Sequence, residues 1–161
     1  MRVWLINELL LLLVVANGTP VVVALLLGPR LNRPLDAGRL FFDLRPWVGE
    51  SKTIRGVLSA IIASTLCAPL AGLSYIHGAL FGGLAMAGDL LSSFTKRRLD
   101  FPSGYSRPGL DQLPETLLPL LVLQPAHGAT LNEMIVIAAA FIVIDLLLSR
   151  ALRTCQAARR R

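Results

Sequence analysis

Asp89, Ser92, Ser93 and Lys96 fall at i, i+3, i+4 and i+7, a spacing that puts all four on one face of a helix. Asp89 would lie about two turns below the cluster Lys96-Arg97-Arg98, inside an apolar segment. A carboxylate at that depth is costly and marks a functional candidate. The plainer alternative is an Asp89–Lys96 ion pair that merely neutralises both charges. Asp111 lies in a second polar stretch, within Pro108-Gly109-Leu110-Asp111-Gln112-Leu113-Pro114. If the helices flanking that stretch are neighbours, Asp89 and Asp111 approach each other at one rim of a membrane. Two carboxylates there are suited to Mg²⁺, which takes oxygen ligands and shares them with substrate phosphates. Metal held so can stabilise the attacking and leaving oxygens of a displacement at phosphorus. The surrounding Lys and Arg would neutralise phosphate charge.

A second constellation lies upstream, in Pro34-Leu35-Asp36-Ala37-Gly38-Arg39, Asp43-Leu44-Arg45 and Gly49-Glu50-Ser51-Lys52-Thr53-Ile54-Arg55-Gly56. It mixes both signs of charge with glycines just before a helix start. A helix N-terminus flanked by Ser51, Lys52, Thr53 and Arg55 is well made for phosphate. The glycines of a P-loop are missing, so that motif is rejected. The competing reading is a solvated basic loop that only sets topology. Asp36, Asp43 and Glu50 argue against it, since acids do nothing for topology. No nucleophile–base couple is evident: Ser92 and Ser93 lack a neighbouring base, and His77 and His127 fall at the opposite rim. Glu8 and Asp145 are further intramembrane acids. A structural bond across helices is expected for both, with Asp145 near enough to the basic side to join the site. Tyr105 and Phe101 are candidates to stack on a base, although loop aromatics near a membrane more often anchor the interface.

These residues need helices to hold them. Of the 161 residues 54% are hydrophobic and 16% charged, whereas soluble domains carry about a quarter charged. The charges gather in two loops and a tail. A helical span needs about 20 apolar residues, and the chain offers residues 3–27, 53–73, 75–94, 113–123 and 131–148. The fourth is short and carries Glu115 and Pro119, so it extends to about Ala126 or lies tilted or re-entrant. Five spans put residues 28–51, residues 96–112 and the tail on one side, together with nearly all Lys and Arg. By the positive-inside rule that side is cytoplasmic, with the N-terminus out and the C-terminus in. The expected fold is therefore all-α: a single transmembrane domain over residues 1–161, a helical bundle of about five spans with two polar cytoplasmic loops.

The net charge of +6 follows from the same rule and gives no reason to expect nucleic acid. The first apolar run continues past Asn17 and Gly18 to Leu27 with no small-residue cleavage site, so it reads as a retained helix. Pro20 breaks that helix behind it. Either a polar cavity or a simple packing kink, with Asn17 bonding a neighbour, accounts for the break. Cys67 sits in an apolar run and Cys155 in the basic tail, so no disulfide is expected.

Three segments together resemble the CDP-archaeol synthase family, membrane relatives of phosphatidate cytidylyltransferases. They are Ala16-Asn17-Gly18-Thr19-Pro20, the stretch from Pro34-Leu35-Asp36 to Gly56, and the stretch from Gly88-Asp89 to Pro114. Each alone is weak, but their order and spacing cover most of the chain. The resemblance implies a five-span enzyme of the cell or inner membrane that transfers CMP from CTP to a lipid phosphate with Mg²⁺, releasing pyrophosphate. It implies that Asp89 and Asp111 bind metal and, with Lys96, carry the chemistry. Ser51, Lys52, Thr53, Arg55 and Arg97 would contact nucleotide phosphates, and Asn17, Asp36 and Asp43 would line the same cavity. The nucleophile would be the acceptor's own phosphate oxygen. Expected partners are CTP, a lipid phosphate and the membrane, with a homodimer left open. Two other readings stand beside this one: a binder or transporter of an anionic solute, motivated by the broken first helix, and an inactive scaffold in lipid synthesis.

Overall fold

Each long apolar segment forms a helix, which satisfies backbone donors and acceptors internally where no water is at hand. The computed structural model describes residues 1–105 and 109–159, with side chains through Ala151. Arg107, Pro108, Arg160 and Arg161 lie outside the described residues, and Arg153, Cys155 and Arg159 outside the described side chains. Helix α1 covers Val3–Leu27 and α2 covers Ile54–Cys67, continued by a 3₁₀ turn over Ala68–Ala71. Then follow α3 (Tyr75–Arg98), α4 (Gln112–Val122), the single turn α5 (Gln124–His127) and α6 (Leu131–Arg159). No strand occurs among the described residues, so the all-α expectation holds.

By length and composition three helices can cross a membrane: α1, α2 with its turn (Ile54–Ala71), and Leu131–Ala151 of α6. The other two fall short for different reasons. Helix α3 has the length, since its 24 residues reach about 36 Å. Its glycines, serines, Asp89 and three terminal basic residues dilute its hydropathy. Helix α4 has only 11 residues, about 16 Å. It contains Pro119 and gives way at Leu123 to α5.

Chain neighbours α1–α2, α2–α3 and α3–α4 pack side by side, and α6 returns to lie against both α1 and α4. The apolar core sits at one end of this ring. Leu5, Leu9, Leu12 and Leu13 of α1 meet Phe81 of α3, Leu120 of α4 and Met134, Ile137 and Phe141 of α6. The buried stripe of α1 stops at Ala16. Beyond it the helix leaves the core and lines a cavity. Arg2 closes the apolar end. Its backbone N–H and guanidinium donate to the Glu133 carboxylate at the start of α6, at 2.7 and 2.8 Å.

Small residues set how near the helices come. A Cβ on Gly78 would strike the Ser64 carbonyl of α2, and one on Gly82 would meet the Ser64 side chain at 2.9 Å. A Cβ on Gly88 would collide with the Pro114 carbonyl of α4. Gly88 therefore brings α3 and α4 together beside Asp89.

The loop after α1 is pinched by bridges Pro34–Thr53 and Leu40–Pro46. It is tied to α3 by Arg98, which pairs with Asp43 at 2.8 Å and donates to the Pro46 carbonyl at 2.6 Å. Arg45 donates to the Arg98 carbonyl and pairs with Asp100 at 2.5 Å. An arginine from one loop thus satisfies an orphan carbonyl at the end of α3.

Candidate active site

At the loop end the bundle opens around a cavity of about 400 Å³. Four acids border it, Asp89, Asp111, Glu115 and Asp145, and four cations, Lys52, Arg55, Lys96 and Arg97. Helix α3 supplies Asp89, Lys96 and Arg97, and the tight approach at Gly88 holds Asp89 against α4. Asp111 stands at the first residue before α4 and Asp145 lies along α6.

Two ion pairs organise the interior. Lys52 Nζ lies 2.6 and 2.5 Å from the two carboxylate oxygens of Asp89. Lys96 Nζ lies 2.7 Å from Asp111 and donates to the Tyr105 carbonyl at 2.9 Å. The expected alternative of an Asp89–Lys96 tie is replaced by this crossed arrangement. Lys96 is only 6% exposed, so its charge is committed to the site rather than to water. Arg97 is equally buried. Its Nη2 donates to the Pro102 carbonyl at 2.9 Å, while its Nε is buried with no hydrogen-bond partner. An unsatisfied buried guanidinium N–H is rare and fits an anion.

The start of α2 carries the other phosphate candidates. Thr53 caps the helix, its hydroxyl accepting from the Gly56 N–H at 3.2 Å. Arg55 donates to the Gly28 carbonyl at 2.8 Å and to the Arg30 carbonyl, so it also closes the C-terminus of α1. Ser51 and Lys52 lie just ahead of the cap, where the Ser51 N–H donates to Ser103 Oγ at 3.3 Å. Ser51, Lys52, Thr53, Arg55, Asn17, Asp89, Lys96, Arg97 and Asp111 all line the one cavity.

Asp36 and Asp43 do not. Asp36 lies away from the cavity and accepts the backbone N–H groups of Gly49 at 2.8 Å and Val48 at 3.2 Å. Asp43 is engaged with Arg98. Both shape the loop that presents Ser51 and Lys52. An aspartate that folds a loop and one that lines a cavity look alike in sequence.

Two further acids border the cavity: Glu115, which was not among the expected residues, and Asp145, which was expected to lie near enough to join it. Glu115 is buried on α4, where its place on the helix face turned to α3 was the available signal. Asp145 accepts from Gln112 Nε2 at 2.7 Å, so it makes the expected interhelical bond and also borders the cavity. Phe101 and Tyr105 stack on each other, 5.2 Å between centroids. His77 pairs with the Ser74 hydroxyl at 2.7 Å, and His127 bonds around Leu120 and Ala129. Both stand at the far end, as expected, and neither lines the cavity.

The donor set fits a hard divalent cation. Its available ligands are carboxylate oxygens, without thiolate or imidazole in the cavity. Among the described residues no three His, Cys, Asp or Glu side chains gather into a closed ligand cage. That suits a cation held by one or two carboxylates and completed by water and substrate phosphate.

Among the described residues, a polar cavity that pairs carboxylates with lysines and arginines within an apolar helical bundle has the lining that phosphate chemistry in a membrane calls for. The comparisons narrow this to a family. A family model for the CarS-like CDP-archaeol synthases matches residues 72–154. The CDP-archaeol synthase of Pyrobaculum calidifontis is 42% identical over 113 residues, 67% of this chain and 67% of that protein. That of Aeropyrum pernix is 36% identical over 142 residues, covering 84% and 78%. A solved structure of an intramembrane enzyme for archaeal membrane lipid biosynthesis superposes with a TM-score of 0.75 at 35% identity, covering 88% of this chain and 90% of that one. The chain belongs to the CDP-archaeol synthase family.

Proposed function

We propose that this chain joins CTP to a membrane lipid phosphate at the loop-end cavity, forming a CDP-lipid and pyrophosphate. The observation that carries the site assignment is the pair of lysine-bound aspartates, Asp89 with Lys52 and Asp111 with Lys96. A phosphate oxygen of the acceptor attacks the α-phosphorus of CTP. The bond from that phosphorus to the bridging oxygen breaks, and pyrophosphate leaves with the electron pair. A phosphomonoester is already largely ionised at neutral pH, with a second pKa near about 6. No histidine or other base is needed to activate it. Catalysis is then positioning plus charge stabilisation.

Mg²⁺ is the proposed cation, with Asp89 and Asp111 as its protein ligands. When bound it would neutralise the triphosphate and polarise the reacting phosphorus. Lys52 and Lys96, released from the two aspartates, are then placed to neutralise phosphate oxygens. Arg97 offers its unpaired Nε to the same anions, and Thr53, Ser51 and the N-terminus of α2 add neutral donors. Arg55 contributes charge at the mouth, and Asn17 a polar wall. The acceptor we favour is an archaeol-type ether lipid phosphate, as in the relatives' names. The cavity faces the cytoplasm, where CTP is, with the N-terminus outside and five membrane passages counting α3 and the α4–α5 pair.

The test is pyrophosphate release by purified protein with CTP, Mg²⁺ and archaeol phosphate, phosphatidate or a polyprenyl phosphate in turn. Release with archaeol phosphate alone supports the whole reading. Release only with another class corrects the acceptor. Tight CTP binding with no release from any of them would overturn the reaction and favour an inactive scaffold.

A further inference from the structure

A separate groove lies on the far side of α3 from the catalytic cavity. It encloses about 760 Å³ between the loop after α1, which supplies Leu35, Arg39 and Trp47, and the α3 residues Ala87, Leu91 and Phe94. Ala87 and Leu91 stand two positions either side of Asp89. At 3.6 residues per turn both lie about 160° around the helix from it. Leu90 is the one described residue that borders both spaces. The groove is therefore a site of its own, with the body of α3 between it and the reacting groups.

Its depth follows from helix geometry. Helix α3 starts at Tyr75, and Phe94 comes 19 residues later, about 28 Å along the axis. A hydrocarbon core is about 30 Å thick. With α3 as a membrane passage, the exposed floor at Ala87 and Leu91 faces acyl chains, and the rim at Trp47 and Phe94 stands at headgroup level. The loop wall is firmly held. Phe41 and Trp47 pack on Phe94, 5.4 and 6.2 Å between centroids, and Arg98 lies 4.7 Å from the same ring. The Leu35 N–H donates to the Lys52 carbonyl at 2.8 Å. Asp36 also lines the groove, but its oxygens are taken up by the N–H groups of Gly38, Val48 and Gly49. Arg39 has no such match: its side chain makes no ion pair or hydrogen bond among the described residues.

We propose that this groove seats an anionic phospholipid of the loop-side leaflet, one that is not the acceptor, with its phosphate on Arg39 and a chain laid over Ala87 and Leu91. Such a lipid is ordered as the groove is, charged at the rim and apolar below. The apolar match selects no particular lipid, because the rest of the bilayer is as apolar as the groove. Selection comes from the guanidinium, which pairs with phosphate through a planar fork of donors and gains from a net negative headgroup. A zwitterionic lipid presents the same phosphate with an ammonium beside it, which offsets the attraction. A soluble anion has nothing to lay along the floor. The inference rests on α3 crossing the membrane and not on the reaction proposed above.

The chain carries its own reporter. Its two tryptophans are Trp47, at the rim, and Trp4, at the start of α1 at the other end of the bundle. A Trp4→Phe variant leaves Trp47 alone. In nanodiscs of phosphatidylcholine, a rising share of the lipid is replaced by phosphatidylglycerol brominated on its chains or, in parallel, by brominated phosphatidylcholine. Half-maximal quenching of Trp47 is expected at a mole fraction lower by about threefold or more for phosphatidylglycerol. Arg39→Gln should bring the two curves together. Arg33→Gln removes the same charge from the same loop outside the groove and should leave them apart. Ala87→Phe, which fills the floor, should also erase the preference in protein whose circular dichroism is unchanged. Coincident curves in the Trp4→Phe protein overturn the proposal, as does a preference that survives Arg39→Gln or that Arg33→Gln removes equally, which is general attraction to a basic loop. No quenching by either lipid also overturns it, since protein, such as a second copy of the chain, then covers the groove. None of these readings uses CTP or an acceptor, so failure of the proposed reaction leaves them standing.

Discussion

Asp89 and Asp111 each rest on a lysine, and this pairing decides what single substitutions should do. Asp89→Asn or Asp111→Asn removes a proposed metal ligand and strands an ammonium, half-buried at Lys52 and buried at Lys96. Turnover is expected to fall by about 10²–10³-fold or more in a pyrophosphate-release assay, as for loss of a group that stabilises transition-state charge. Lys52→Met should instead weaken CTP binding, read directly by calorimetry, because its amine is proposed to move onto phosphate. Wild-type rates in both aspartate variants would remove the metal-site assignment. Asp36 answers to a different measurement. Burial pushes its carboxyl up, but the N–H groups of Gly49, Val48 and Gly38 outweigh that and hold it below the usual carboxylate range. Its folded-state value is lowered, so the stabilisation is complete above the ordinary aspartate value near about 4 and is lost as pH falls through the lowered one. Hydrogen exchange at Val48 and Gly49 should show protection at pH 7 that fades in acid, and Asp36→Asn should lack it at both. At this scale the sequence made the cavity's charges readable, since Asp89 and the basic cluster follow a helical period. It left Asp36 and Asp43 indistinguishable from cavity residues, because an acid's partners lie in backbone N–H groups that only the folded loop presents.

Among the helices, the approach of α3 to α4 is set by an absent side chain. Gly88→Ala would drive a methyl into the Pro114 carbonyl. It should destabilise the protein by about 1–3 kcal/mol, the usual range for overpacking, and shift Asp89 enough to lower turnover. Gly83→Ala on the same helix, with nothing near its Cβ position, should stay within about 1 kcal/mol of wild type. Thermal unfolding in detergent compares the two; equal midpoints would mean that the helices yield at Gly88. Helix positions were legible because apolar length and loop charge alternate so strongly. What stayed hidden was the length of α4. Its apolar letters stop after 11 residues, and whether a Pro-containing segment continues, tilts or turns depends on neighbours. Here it turns into α5, with Gly128 in the left-handed region ending that turn. Arg2 is another case. In sequence it is one positive charge at the N-terminus, and only folding brings Glu133, 131 positions away, beneath it.

On the scale of the molecule, the bundle is closed at one end and open at the other: leucines and phenylalanines interlock near Arg2, and charge gathers where the loops are. All described Lys and Arg side chains except Arg2 lie toward the open end. Single cysteines placed at Ser74 and Ser103, in a background with Cys67 and Cys155 replaced by serine, test the orientation. A membrane-impermeant maleimide should label Ser74→Cys in intact cells and Ser103→Cys only after lysis. The reverse pattern would invert the proposed topology. The charge asymmetry made the gathering of Lys and Arg at one end of the bundle legible at once. The location of the apolar core was not, because every span is apolar and only packing shows which half is filled.

The two lysine–aspartate pairs also bear on what the proposed cation would do for the scaffold. Each acid already has its counter-charge, supplied by the chain itself. In the proposed scheme the metal would exchange places with an ammonium group at these aspartates rather than hold the helices together. Protein prepared in a strong chelator is expected to keep its circular dichroism and its melting temperature, to lose turnover, and to regain it when a divalent ion is returned.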